Sequence, residues 1–171
     1  MLVLTLLRHA KSSWADDSMA DFDRPLNDRG RKAAAMMGAY MRDAGLTFDR
    51  ILASPARRVV DTLEGLEAGG WLGPSVTYEP RLYETTADHM IDLLRKIEAG
   101  VERLLIVGHN PALQQLALRL TTGQDGKREQ LAEKFPAGAL AEIHLAAATW
   151  RAVDSGGGEL VRFIRPRELE D

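Results

Sequence analysis

The chain has 171 residues, 45% of them hydrophobic, with 22 Lys and Arg against 25 Asp and Glu and a formal net charge of −3. That length fits one domain spanning 1–171 with a core that needs no staples, and the charge balance gives no bulk reason to bind nucleic acid while leaving room for a local basic pocket. The absence of cysteine excludes disulfides, thiolate zinc sites and cysteine nucleophiles, and no apolar run reaches the roughly 18–20 residues of a membrane span, so a cytoplasmic monomer is the default expectation.

Leu2–Leu7 is a short apolar run bounded by charge. This is the pattern of a strand buried on both faces of a parallel α/β sheet, and it delivers Arg8 and His9 at its C-terminal end. Residues 10–26 are polar and irregular. Asn27 or Asp28 caps a helix running to about Ala44 and closed by Gly45. Asp49–Ala53 is a second strand. Ser54-Pro55 reads as an N-cap followed by proline at the first helical position, opening a helix that Gly69-Gly70 stops. Ser75–Tyr78 is a short strand. Met90, Ile91, Leu93, Leu94 and Ile97 fall on a helical period across residues 87–98, with Gly100 as the stop. Arg103–Val107 is a further buried strand ending in Gly108-His109, and Asn110-Pro111 repeats the cap-then-proline signal before a helix to about Leu120. Residues 121–136 are polar, with a short surface helix near Arg128–Lys134. Ala139–Ala146 and Leu160–Ile164 read as two late strands, with Ser155–Gly158 as a hairpin turn between them. The alternation predicts a three-layer α/β/α sandwich with a mostly parallel central sheet.

Three strand ends carry the chemistry: Leu7-Arg8-His9, Ser54-Pro55-Ala56-Arg57-Arg58, and Gly108-His109-Asn110-Pro111. In open α/β sheets ligands bind beyond the carboxyl ends of the strands, where helix N-termini favour anions. Arg8, His9, Arg58 and His109 gathered there would form a cationic pocket suited to phosphate, since arginine matches phosphate geometry bidentately. His89 and His144 read as a surface and a strand histidine. Metal-ligand spacings such as H-x-x-x-H or H-E-x-x-H are missing, as is a P-loop, so neither a metal nor a nucleotide cofactor is expected.

The segment Arg8-His9-Ala10-Lys11-Ser12 resembles the Arg-His-Gly signature of the histidine phosphatase superfamily, whose fold is phosphoglycerate mutase-like. Ser54-Pro55-x-x-Arg58 with Thr62 resembles its second arginine motif, and Val107-Gly108-His109 its second catalytic histidine. Arg24-Pro25-Leu26 with Gly30, and Leu82-Tyr83-Glu84, fall in matching places. These elements keep the family's order over about residues 1–145, and the short length with Arg-Pro-Leu is most similar to SixA-type phosphohistidine phosphatases. Two departures stand out. Ala10 replaces the usual glycine, and Ala15 stands where mutases carry a phosphate-binding asparagine.

The resemblance implies hydrolysis of a phosphomonoester or phosphoramidate, foremost protein phosphohistidine, through a covalent intermediate on His9 without metal. Arg8, Arg58 and His109 would hold the phosphoryl oxygens. Arg24 would add a phosphate contact or else pair with Asp21 or Asp23. Glu84 would be the general acid or else a charge favoured by a helix N-terminus. The substrate would be a phosphorylated protein or a small phosphorylated molecule. A small-molecule phosphatase, a phosphoglycerate-type mutase and a non-catalytic phosphoprotein-binding module are the alternatives.

Overall fold

The first strand, β1 (Val3–Arg8), is apolar on both faces because helices cover both. The computed structural model describes residues 1–170. Its further elements are α1 (Asp28–Asp43), β2 (Arg50–Ala53), α2 (Arg57–Ala68), β3 (Val76–Tyr78), α3 (Ala87–Arg95), β4 (Arg103–Gly108), α4 (Ala112–Leu120), α5 (Gly126–Glu133), β5 (Leu140–His144) and β6 (Glu159–Ile164). The six strands form one sheet in the order β3-β2-β4-β1-β5-β6. β1, β4, β2 and β3 are parallel, and β5 lies antiparallel to both β1 and β6.

Alternation along the strands divides the core. Leu4 and Leu6 of β1 and Leu104 and Ile106 of β4 pack with α3, α4 and α5 through Met90, Leu94, Leu113, Leu116 and Leu131. Leu7, Leu105 and Val107 pack on the other face with α1 and α2 through Met37, Met41, Val59, Leu63 and Leu66. This is the expected three-layer α/β/α sandwich. α1 and α2 approach closely because small residues face each other: a Cβ added at Gly38 would strike the Leu66 carbonyl, and one at Gly65 would strike Ala34.

Asn27 caps α1 by accepting the Gly30 N–H at 2.7 Å, and Gly45 follows with φ of +70°. Three local expectations need correction. Ser54 is not a helix cap. Its N–H still donates to the Val107 carbonyl, so it belongs to the sheet, and α2 starts at Arg57. At the other repeat of the signal, Pro111 takes the N-cap position, while Asn110 Oδ1 accepts the Gln114 N–H at 3.2 Å. Both helices therefore begin further from the strand ends than proline at the first helical position would place them. Finally, the connection between β5 and β6 is not a tight hairpin. It runs from 145 to 158 through a short 3₁₀ turn at Trp150–Ala152 that buries Trp150 in the core. Gly156 and Gly157, both at positive φ, close its far end.

Candidate active site

The parallel register brings the C-terminal ends of β1, β2 and β4 side by side: Arg8 pairs with Gly108, and Ala53 with Val107. His9 and His109 leave adjacent strands and face each other, with ring centroids 5.2 Å apart. Arg58, in the first turn of α2, reaches between them. Its Nε lies 3.3 Å from His9 Nε2 and its Nη2 lies 3.5 Å from His109 Nδ1. All three line one cleft of about 1310 Å³, with Arg8, Arg24, Asp21, Tyr83 and Glu84.

His9 is buried, and its Nδ1 lies 2.7 Å from the Ala10 carbonyl. A carbonyl only accepts, so Nδ1 carries the proton, and the unprotonated Nε2 accepts from Arg58 Nε at 3.3 Å. The carbonyl itself is positioned by Thr62, whose hydroxyl accepts the Ala10 N–H at 3.0 Å and donates to the Arg58 carbonyl at 2.7 Å. Burial pushes the His9 pKa down to about 3, helped by the charges of Arg58 and Arg8. His109 is lowered to about 4 by burial and then by Arg58. Both imidazoles are neutral at pH 7 in the ligand-free cleft. A dianion among these arginines would oppose the burial and the Arg58 charge that hold His109 neutral, and would raise its pKa.

Ser54, expected as a helix cap, lies 2.8 Å from His109 Nε2 through its hydroxyl. With Arg58 Nη2 facing Nδ1, this assigns the His109 proton to Nε2 and leaves Nδ1 toward the cleft. Arg8 donates from Nη1 to the Phe135 carbonyl at 2.9 Å. Its Nε is buried and has no hydrogen-bond partner among the described residues. Burial and Arg58 lower the Arg8 pKa.

Arg24 is buried and takes the paired arrangement. Its Nη2 and Nε contact Asp21 Oδ1 at 2.9 and 3.2 Å, and its Nη1 donates to Ser12 Oγ at 3.0 Å. Its guanidinium lies 3.5 Å over the Trp14 ring. Asp21 and Tyr83 are the residues that sequence reasoning underused. Asp21 Oδ2 accepts from Tyr83 Oη at 2.7 Å and from Arg58 Nη2 at 3.1 Å. The Tyr83 hydrogen bond, followed by the arginines, lowers the Asp21 pKa to about 2, and Asp21 raises Tyr83 to about 12. The sequence signals were Asp21 and Asp23 ahead of Arg24, and Tyr83 within Leu82-Tyr83-Glu84, with nothing to join the two segments.

Glu84 is exposed, lines the cleft next to Tyr83, and has φ of +56°. A non-glycine residue in the left-handed region is uncommon and mildly strained. Of the first turns, α1 lends Asn27 and Arg29 and α2 lends Arg58 to the cleft, while Ala56, Arg57, Pro111 and Ala112 do not line it. His89 is exposed on α3, and His144 pairs with Glu142 at 3.1 Å, both away from the cleft.

The model of the histidine phosphatase superfamily (branch 1) matches residues 4–99. The uncharacterised protein Rv1276c of Mycobacterium tuberculosis is 35% identical over 166 residues, covering 94% of this chain and 100% of that one. A candidate phosphohistidine phosphatase SixA of Agrobacterium tumefaciens superposes with a TM-score of 0.79 at 28% identity, covering 96% of this chain and 98% of that one. Another from Nakamurella multipartitia gives 0.81 at 26% identity, covering 96% of each. Matched over more than half its length, the chain belongs to the histidine phosphatase superfamily, branch 1, as a phosphatase acting on a phosphorylated substrate.

Proposed function

We propose that the substrate is a protein phosphohistidine and that the phosphoryl group passes through His9. The observation that carries this reading is the held tautomer of His9: Nδ1–H bonded to the Ala10 carbonyl, and Nε2 unprotonated, accepting from Arg58 Nε at 3.3 Å, a contact the phosphoryl group would replace. The Nε2 lone pair forms a bond to phosphorus as the substrate's P–N bond breaks, and the leaving imidazole takes a proton from solvent. Water then attacks phosphorus, the His9 N–P bond breaks with its electrons returning to Nε2, and inorganic phosphate leaves. Arg8, Arg58 and a protonated His109 hold the phosphoryl oxygens, because phosphoryl transfer depends on positioning and charge stabilisation. Arg24 joins them if the phosphate draws it from Asp21. Glu84 donates to poor leaving groups and accepts a proton from the attacking water. These cations supply the neutralisation, and the reading takes no metal.

The open cleft supports a phosphoryl group carried on a protein, and the likeness to the two SixA structures, at 28% and 26% identity, supports the phosphoramidate. The test compares a phosphohistidine-bearing protein with a panel of phosphorylated metabolites. Faster turnover of the protein, abolished in His9→Ala and indifferent to EDTA, is expected. Preference for a metabolite would overturn the substrate, and EDTA inhibition reversed by a divalent ion would overturn the metal-free step.

A further inference from the structure

The cleft extends well beyond the two histidines, and its outer walls are cationic. On one wall, Arg29, Lys32, Ala33 and Met36 lie at helical spacing on a single face of α1. Lys11 joins them because its carbonyl accepts the Asn27 N–H at 3.0 Å, tying the loop to the start of that helix. On the other wall stand Lys134, just beyond α5, and Arg167 in the C-terminal turn. This wall is fixed to the nucleophile strand, because the Gly138 N–H donates to the Arg8 and His9 carbonyls and Pro166 packs on Gly138.

Among the described residues, none of Lys11, Arg29, Lys32, Lys134 and Arg167 forms a salt bridge. The carboxylates on the same cleft are Asp21, already held by Arg24 and Arg58, together with Glu84 and Glu170. Five unpaired cations on one concave surface are unexpected in a chain of net charge −3. Like charges gathered in a cleft repel each other and are relieved by an anionic partner, and the focused field also speeds its approach.

We propose that this rim reads acidic residues flanking the phosphorylated side chain of a protein substrate. The inference rests on the phosphatase reading and names what that site selects beyond the phosphoryl group. A peptide fits better than a long polyanion. The acceptor His9 is buried at the end of the cleft, so the phosphoryl group must project from its carrier on a side chain, and the net negative charge opposes a duplex or a lipid surface. Trp14, 73% exposed at the same mouth, gives an apolar contact suited to a protein surface.

The test uses the full chain and fluorescent phosphopeptides with Asp/Glu or Lys/Arg flanks, read by anisotropy, with para-nitrophenyl phosphate hydrolysis followed in parallel. The wild type should bind the acidic peptide about tenfold or more tightly, and about 0.5 M salt should remove the difference. Combined Arg29→Glu, Lys32→Glu and Arg167→Glu should abolish it while para-nitrophenyl phosphate turnover stays within about threefold, as expected for exposed sites away from the reacting atoms. Equal affinity for both peptides, an unaffected triple variant, or stronger binding of duplex DNA or phosphatidylserine vesicles would overturn the rim assignment. A wild type that fails to hydrolyse para-nitrophenyl phosphate would instead overturn the phosphatase reading beneath it.

Discussion

Arg58 Nε lies 3.3 Å from His9 Nε2, and the same guanidinium donates from Nη1 to the Asp21 carbonyl at 2.8 Å. One planar group thus spans His9 Nε2 and the loop that walls the cleft. A lysine can keep the charge but not the fork. Arg58→Lys should therefore lower kcat by about 100-fold or more, the scale for losing an oriented donor at a developing charge. Steady-state kinetics on an aryl phosphate checks this, with the melting temperature as a control for folding. Near-normal kcat would show that bulk charge suffices.

As the proposed general acid, Glu84 would separate leaving groups. A poor leaving group needs its proton, so Glu84→Gln should slow alkyl phosphate hydrolysis by about 100-fold or more. Phosphohistidine, whose imidazole leaves readily, should lose far less. Equal losses on both substrates would assign Glu84 to the water step alone.

The Asp21–Tyr83 pair can be read spectroscopically. Asp21 holds the Tyr83 phenol at about 12 through their 2.7 Å hydrogen bond. In Asp21→Asn one tyrosine should titrate near the ordinary value of about 10, visible by ultraviolet difference absorbance. Removing this carboxylate from beside Arg58 and Arg24 should also tighten inhibition by inorganic phosphate. An unchanged tyrosine titration would contradict the pairing.

Stability should fall in mild acid because of the two site histidines. Their folded values, about 3 for His9 and about 4 for His109, lie below the unfolded value of 6.5. The unfolded chain therefore binds protons first as pH falls, and stability drops from about pH 6.5 down to the folded values. At pH 5 each histidine should cost on the order of 1–2 kcal/mol. Calorimetry of the wild type and His109→Asn between pH 7 and pH 5 tests this. The variant should lose less melting temperature than the wild type, and an equal loss would contradict a neutral, buried His109.

Much of this site was legible before the fold was known, because strand ends are local features. An apolar run that stops at Arg8-His9, and another that stops at Gly108-His109, are visible without tertiary information. A parallel sheet then makes them neighbours. Ser54 shows the limit. Serine before proline is a valid cap signal, but whether the residue still pairs with β4 depends on register, and pairing with Val107 turned its hydroxyl to His109. Asp21 is 37 positions from Arg58 in a loop with no periodicity, so nothing local announces their contact. The cationic rim was hidden in the same way, since Arg29, Lys134 and Arg167 look like ordinary solvated charges until the fold lines one cleft with them.

The covalent step on His9 is tested most directly by rapid quenching of the enzyme with radiolabelled phosphoryl substrate. The expected species is a phosphoenzyme that is labile in acid, stable in base, formed at least as fast as turnover and absent in His9→Ala. An acid-stable phosphoester, or label retained in His9→Ala, would contradict His9 as the nucleophile.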